Sequence, residues 1–235
     1  MAQFSDPHLA ALAVLCIATV AAVAIARRHP GVPTGAIARS LAVVILAAWA
    51  GEYVTDAIDG TWNARYTLPL QLTDAVSLAA ATALVTRRRL AVELTYLWSL
   101  SASLQATLTP DLARSFPSVY YFTYFGYHIG AIVAGCMLVF GCGLYPRRRA
   151  WLRVFGVTIL WAAGAGIADL ITGANYMYLR FRPRHDSLLA VLGPWPWYIL
   201  GGALIGLAMM LILQRLADAI ARRDPRALSS DRAVR

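Results

Sequence analysis

The sequence predicts an all-α membrane protein, a bundle of seven transmembrane helices with the N-terminus outside and the C-terminus in the cytoplasm. Three observations predict it. Of 235 residues, 59% are hydrophobic and 14% charged, against about 45–50% apolar and about 25% charged in an ordinary soluble domain. Apolar runs close to the ~20 residues that cross a hydrocarbon core recur along the chain. The arginines, finally, fall mainly between those runs. Helices are the expected spanning element because each satisfies its own backbone hydrogen bonds where no water is present.

The first span runs from His8 to Ala26 and is followed by Arg27-Arg28. Met1 to Ala10 contains no Lys or Arg, so this run reads as a retained helix rather than a signal peptide. Ile37 to Thr55 is the second span, with Glu52 and Asp56 at its end; Leu68 to Val85 is the third, stopped by Arg87-Arg88-Arg89. Leu90 to Thr107 forms the fourth, with Gln105 near its end, and Val119 to Leu144 the fifth, followed by Arg147-Arg148-Arg149. Trp151 to Leu170 is the sixth, with Asp169 near its end, and Trp197 to Leu213 the seventh. Pro194 and Pro196 keep the approach to that helix irregular, and Trp195, Trp197 and Tyr198 suit an interfacial anchor. Gly201-Gly202 and Gly206 allow close helix packing. Residues 1–214 thus form the membrane domain and 215–235 a basic cytoplasmic tail.

The net charge of +9 is explained by topology and not by nucleic-acid binding. If the three arginine clusters and the tail with Arg215, Arg222, Arg223 and Arg226 are cytoplasmic, the positive-inside rule sets the orientation. Cys16, Cys136 and Cys142 all fall within spans without a CxxC spacing, so they indicate neither a disulfide framework nor a metal site. No nucleotide-binding glycine loop is present, and no motif requires a cofactor. His29 and His185 lie in connections and His8 at a span edge, which predicts surface histidines.

His128 is different, because it lies about ten residues inside the fifth span. An ionisable side chain at that depth is costly, and is a functional candidate by default. In the orientation above, Thr73 lies roughly 8 Å and His128 roughly 14 Å below the outer surface at 1.5 Å per residue. Glu52, Asp56, Gln105 and Asp169 share that leaflet. On the fifth helix Tyr121, Tyr124 and His128 follow i, i+3, i+7 spacing; on the third, Thr73 and Ser77 share a face, with Gln71 and Asp74 roughly 100° away. A polar cavity is the functional reading. The structural alternatives are a Thr73 hydroxyl bonded back to its own helix, Asp74 and Gln71 joining helices, and Tyr120, Tyr121 and Tyr124 as an aromatic belt. Arg180, Arg182 and Arg184 break the positive-inside pattern in the sixth connection. An extended chain projects all three the same way, as a phosphate-binding set for a lipid head group or as a solvated basic loop.

Four blocks carry a resemblance: Leu68-Pro69-Leu70-Gln71-Leu72-Thr73-Asp74; Leu97 to Leu100 with Leu104 to Leu112; Phe122 to His128; and Asn175 to Leu179 with Leu192 to Tyr198. Together they resemble the bacterial YwaF-type integral membrane proteins. That family is similar to a human transmembrane acyltransferase of ether phospholipids, and more distantly to the androgen-dependent threonine hydrolases of fatty-acid esters. The resemblance implies a nucleophile near the start of one membrane helix and a histidine on a later one, places taken here by Thr73 and His128. Related sequences commonly read Leu-Pro-Leu-His-Leu-Cys-Asp, whereas this chain has Gln71 for the histidine and Thr73 for the cysteine.

The resemblance therefore implies a lipid-ester hydrolase or acyltransferase of the bacterial inner membrane. A lipid or fatty-acyl ester is its substrate, Thr73 its nucleophile and His128 its base. Gln71, Asp74, Tyr121, Tyr124, Arg180 and Arg182 are candidates for binding that substrate. A non-catalytic transporter or lipid-binding protein with the same cavity is the alternative.

Overall fold

The computed structural model describes residues 3–112, 114–182 and 188–226, and every regular element among them is helical. Five helices are long and apolar enough to cross a membrane: α1 (Asp6–Arg28), α2 (Val32–Ile58), α6 (Val119–Cys136, prolonged by a π-turn at Met137–Gly141), α7 (Ala150–Thr172) and α8 (Trp197–Ala221). Two of the seven predicted spans take another form. Helix α3 (Leu72–Thr86) has 15 residues, or about 22 Å at 1.5 Å per residue, short of a full hydrocarbon core. The fourth is a continuous but irregular rod, α4 (Arg89–Trp98), a π-turn (Ser99–Ser103) and α5 (Leu104–Leu108).

Helix α6 is the hub. In its most apolar window 83% of residues are buried, against 11–22% in the other four long helices. Helices α1, α2, α3 and α4 pack around it, while α7 and α8 pair outside α4. Small residues permit the approach. A Cβ on Gly126 would lie 2.9 Å from Ala48 Cβ, one on Gly130 2.6 Å from Ile45 Cγ1, and one on Gly135 2.8 Å from Ser99 Oγ. The Gly126-x-x-x-Gly130 spacing therefore seats α2 on α6 at backbone range. The C-terminal glycines work differently. Gly201 and Gly202 face Leu192 and Leu189 of the preceding connection, and Gly206 has no neighbour within 4 Å. They do not make a helix seam.

The arginine clusters converge on one end of the bundle. Buried Glu93 accepts from Arg147 Nε at 2.8 Å and Nη2 at 3.0 Å, and from Arg153 Nη2 at 3.0 Å. Arg27 Nε donates to the Phe140 carbonyl at 2.8 Å, and Arg226 Nη1 to Gly141 at 2.9 Å. Asp224 completes this end, accepting from Arg226 Nη2 at 2.7 Å and Tyr145 Oη at 2.8 Å. The Arg226 guanidinium holds the Asp224 carboxyl well below the usual carboxylate range. A group depressed on folding stabilises above its unfolded pKa of about 3.9 and loses that contribution as pH falls through the folded value. Amide exchange of residues 222–226 is accordingly expected to be protected to the same degree from pH 5 to 8, after correction for intrinsic rates. Asp224→Asn removes that protection at pH 7, and an unchanged exchange profile would count against the contact.

His8 corrects the expectation of a surface histidine. It is fully buried, takes the Phe4 amide on Nδ1 at 2.9 Å and donates from Nε2 to the Thr107 carbonyl at 2.9 Å. Both ring nitrogens are engaged in pinning the start of α1 to α5. His29 is exposed, and His185 lies outside the described residues. Helix α8 continues to Ala221, past Leu213, the end expected for the seventh span.

Candidate functional site

Helix α3 starts at Leu72, later than the apolar pattern suggests, because Leu68 and Leu70 are engaged elsewhere. The Leu68 amide donates to Tyr176 Oη at 2.7 Å, the Leu70 amide turns back on Leu68, and Trp161 Nε1 donates to the Leu70 carbonyl. Thr73 is thus the second residue of its helix rather than one already well inside it. Ser77 Oγ donates to the Thr73 carbonyl at 3.0 Å, placing the two on one face. Half-buried Thr73 makes no side-chain hydrogen bond among the described residues. No helical turn precedes it for its hydroxyl to bond back to.

Asp74 closes the first turn of α3. Its Oδ2 accepts the Gln71 amide at 2.8 Å, while Oδ1 accepts from Trp49 Nε1 at 3.0 Å and Tyr53 Oη at 2.6 Å on α2. Three donors on one buried carboxyl fasten α3 to α2. Glu52 sits beside it and takes the Tyr127 hydroxyl of α6 as its partner. Farther along the same face of α2, Asp56 accepts from Tyr120 Oη at 2.7 Å. Glu52 and Asp56 therefore meet hydroxyls of the fifth predicted span, while Asp74 meets groups of the second. Trp49, Tyr53 and Tyr127 complete the set and were not singled out in the sequence. Their signal was the i, i+4 spacing of Trp49 and Tyr53 around Glu52, and the position of Tyr127 next to His128.

His128 is 2% exposed and its ring lies against both Tyr124 (4.3 Å between centroids) and Tyr127 (4.2 Å). Its Nδ1 is 2.8 Å from the Tyr124 carbonyl. A carbonyl only accepts, so Nδ1 carries the proton and Nε2 carries the lone pair. Nε2 has no hydrogen-bond partner among the described residues. Helices α3 and α6 pack together, yet no hydrogen bond joins Thr73 to His128.

The other candidates separate. Gln71 Oε1 accepts the Met177 amide at 2.9 Å, which fixes the amide orientation and leaves Nε2 without a partner among the described residues. Tyr124 commits its hydroxyl proton to Ala106 at 2.8 Å, and Tyr121 to Pro7 at 2.6 Å on α1. Tyr121 therefore secures the start of α1. With Tyr120 bonded to Asp56, all three hydroxyls find partners within the bundle. Arg180 does not lie on an extended strand. The chain bends at residues 179–181, and Asn175 Oδ1 accepts the Arg180 amide at 2.8 Å. Arg182 lies within electrostatic reach of the Tyr198 hydroxyl, and Arg184 is outside the described residues.

The segment 174–180 lies over the start of α3. Met177 and Tyr178 both have positive φ, 54° and 56°. Tyr176 N donates to buried Asp169 at 2.7 Å, Tyr178 Oη to Asp111 at 3.2 Å, and Tyr198 Oη to the Tyr178 carbonyl at 2.6 Å. Strained backbone held by this many outside partners is characteristic of sites where geometry is used.

No curated protein and no solved structure matches this chain. The family comparison does find a match, over residues 3–214, which takes in both α3 and α6 and extends well beyond the four blocks read from the sequence. An integral membrane protein by its apolar helices, the chain belongs to the TMEM164 family.

Proposed function

We propose that the protein is an intramembrane lipid-ester hydrolase or acyltransferase in which Thr73 is the nucleophile and His128 the general base. The observation that carries the reading is the pair of unused groups on adjacent helices. Thr73 Oγ1 and His128 Nε2 are both without hydrogen-bond partners among the described residues, and the tautomer set by the Tyr124 carbonyl leaves the lone pair on the nitrogen that is free. A threonine hydroxyl needs such a base to attack an ester at neutral pH. The similarity to YwaF-type proteins and the threonine hydrolases, with their nucleophile near a helix start and a later histidine, supports the same assignment.

Nε2 takes the Oγ1 proton as Oγ1 bonds to the ester carbonyl carbon, and the carbonyl oxygen becomes an oxyanion. The C–O bond then breaks, the leaving alcohol takes the proton from Nε2, and acyl-Thr73 remains. Water or an acceptor alcohol, deprotonated by Nε2, then bonds to the acyl carbon, the Oγ1–carbon bond breaks, and Oγ1 takes the proton back from Nε2 as the fatty acid or new ester leaves. The amides of Leu72 and Thr73 at the unpaired start of α3 and the free Gln71 Nε2 are the donors for the oxyanion. Tyr124 is not one, because its proton is committed to Ala106. Asp74 positions the helix, and Arg180 with Arg182 meets the head-group phosphate. The membrane arrangement belonging to this reading is seven crossings, with the short α3 and the α4–α5 rod among them. The arginine end is then cytoplasmic and the Thr73 end outside, in a bacterial inner membrane.

A fluorophosphonate that labels reactive hydroxyls tests the nucleophile. Purified protein is expected to gain one adduct, on the peptide holding Thr73, and to lose it in Thr73→Ala and in His128→Ala. Labelling that persists in both variants would remove the mechanism. The alternative, a lipid-binding or transport protein, is favoured by threonine standing where related sequences have cysteine. It predicts saturable lipid binding with no covalent adduct at all.

A further inference from the structure

Beside α7 runs an apolar groove of about 470 Å³, with Gly166, Ile167 and Leu170 on one wall, Leu179 and Trp195 on the other, and Arg180 the one charged side chain in its lining among the described residues. The walls face outward: Leu170 is 80% exposed, Trp195 61% and Ile167 60%. Gly166 gives the groove its depth. A Cβ there would already contact Leu179 Cδ1 at 3.6 Å, so a larger side chain fills the space.

Arg180 is held rather than free to swing. Its Nη1 donates to the carbonyls of Ala174 at 3.1 Å and Asp169 at 3.4 Å, near the end of α7. Nε and Nη2 make no hydrogen bond among the described residues. A guanidinium anchored by one nitrogen, with two donors of its planar fork unused, matches the oxygens of a phosphate. The second groove, beside α1, lacks this feature. Its arginine, Arg27, is already engaged by the Phe140 carbonyl and by Asp224 at 3.8 Å.

We infer that the α7 groove binds one phospholipid of the surrounding bilayer, its phosphate on Arg180 and an acyl chain over Gly166. An exposed apolar channel selects a hydrocarbon chain, the fork selects the phosphate, and basic pockets beside membrane helices take lipid head groups. Leu179 also packs in the small apolar cluster with Leu68 and Leu70, which precede Gln71 and Thr73 in the chain. Taking the bound lipid as substrate rests on the catalytic reading above, whereas the groove as a lipid site does not.

The test uses full-length protein in detergent with phosphatidylglycerol carrying a diazirine on one acyl chain, and a diazirine diacylglycerol lacking the phosphate. After irradiation the phospholipid label is expected to concentrate on the peptide spanning Ala163 to Leu170. Arg180→Gln and Gly166→Leu are each expected to reduce it about tenfold, equivalent to roughly 1.4 kcal/mol. The diacylglycerol should label this peptide weakly and be indifferent to Arg180→Gln. Label spread evenly over all outward-facing helices, or unchanged in the two variants, overturns the inference. Should Arg180→Gln fail to fold, Gly166→Leu decides alone, since it leaves the arginine tethers intact. Thr73→Ala is expected to keep wild-type photolabelling. Lost fluorophosphonate labelling sites with an intact groove label would therefore be judged separately from loss of the groove.

Discussion

Gly130→Leu is expected to destabilise the folded protein by about 3 kcal/mol or more, the upper range for overpacking a filled interior. Even the first added carbon would lie 2.6 Å from Ile45 Cγ1, and Ile45 is fully buried. Relief requires α2 and α6 to move apart, which loosens the seam that also brings Glu52 to Tyr127. For a domain of this size about 3 kcal/mol corresponds to a fall of roughly 6–12 °C in Tm. Gly206→Leu is the matched control, because nothing lies within 4 Å of its Cβ position. It is expected to shift Tm by less than about 3 °C, consistent with a surface change within about 0.5 kcal/mol. Thermal unfolding followed by monodisperse recovery from detergent measures both. Equal losses in the two variants would refute a backbone-range seam at Gly130.

His128→Ala is expected to reduce turnover of a lipid ester by about 10²–10⁴, the usual contribution of a general base. Thr73→Ala should lose activity to a similar background, and the double variant should be no worse than either single one, since residues acting as one unit are strongly non-additive. The measurement is release of fatty acid, or its transfer to an acceptor, from a labelled phospholipid by purified variants of verified monodispersity. His128→Ala also removes a ring stacked on two tyrosines, so a structural role alone would lower the folded fraction. It would leave the rate per folded molecule unchanged, and that outcome would sink the assignment. Comparative lipid profiles of cells carrying the three proteins then identify the ester consumed.

Much of this arrangement is legible in the sequence, for reasons tied to particular residues. Apolar run length located the five long helices, and arginine clustering anticipated the end at which Arg27, Arg147 and Arg226 assemble. Depth alone singled out His128. The exact start of α3 was not legible, because the apolar pattern continues through Leu68 and Leu70. Tyr176 and Trp161, each roughly a hundred residues away, take the backbone groups that a longer helix would use. His8 was misread for a similar reason. A histidine at a span edge looks solvated until the Thr107 carbonyl and the Phe4 amide are brought to its two nitrogens.

The Tyr121, Tyr124 and His128 stripe shows the limit of periodicity. All three follow one helical phase, yet Tyr121 reaches α1 and Tyr124 reaches α5. Tyr127, outside the stripe, lies against His128 just as Tyr124 does. The sequence by itself determined the helical class, the membrane setting, the rough positions of the long helices and the isolation of one deep histidine. Those properties follow from local composition and from the cost of placing polar groups in hydrocarbon. Only the tertiary structure decided which carboxyl meets which hydroxyl, that Thr73 opens its helix, and that Thr73 Oγ1 and His128 Nε2 have no hydrogen-bond partner among the described residues. Hydrogen-bond partnership depends on contacts between residues distant in the chain, and a one-dimensional pattern does not encode the separation of two helix faces.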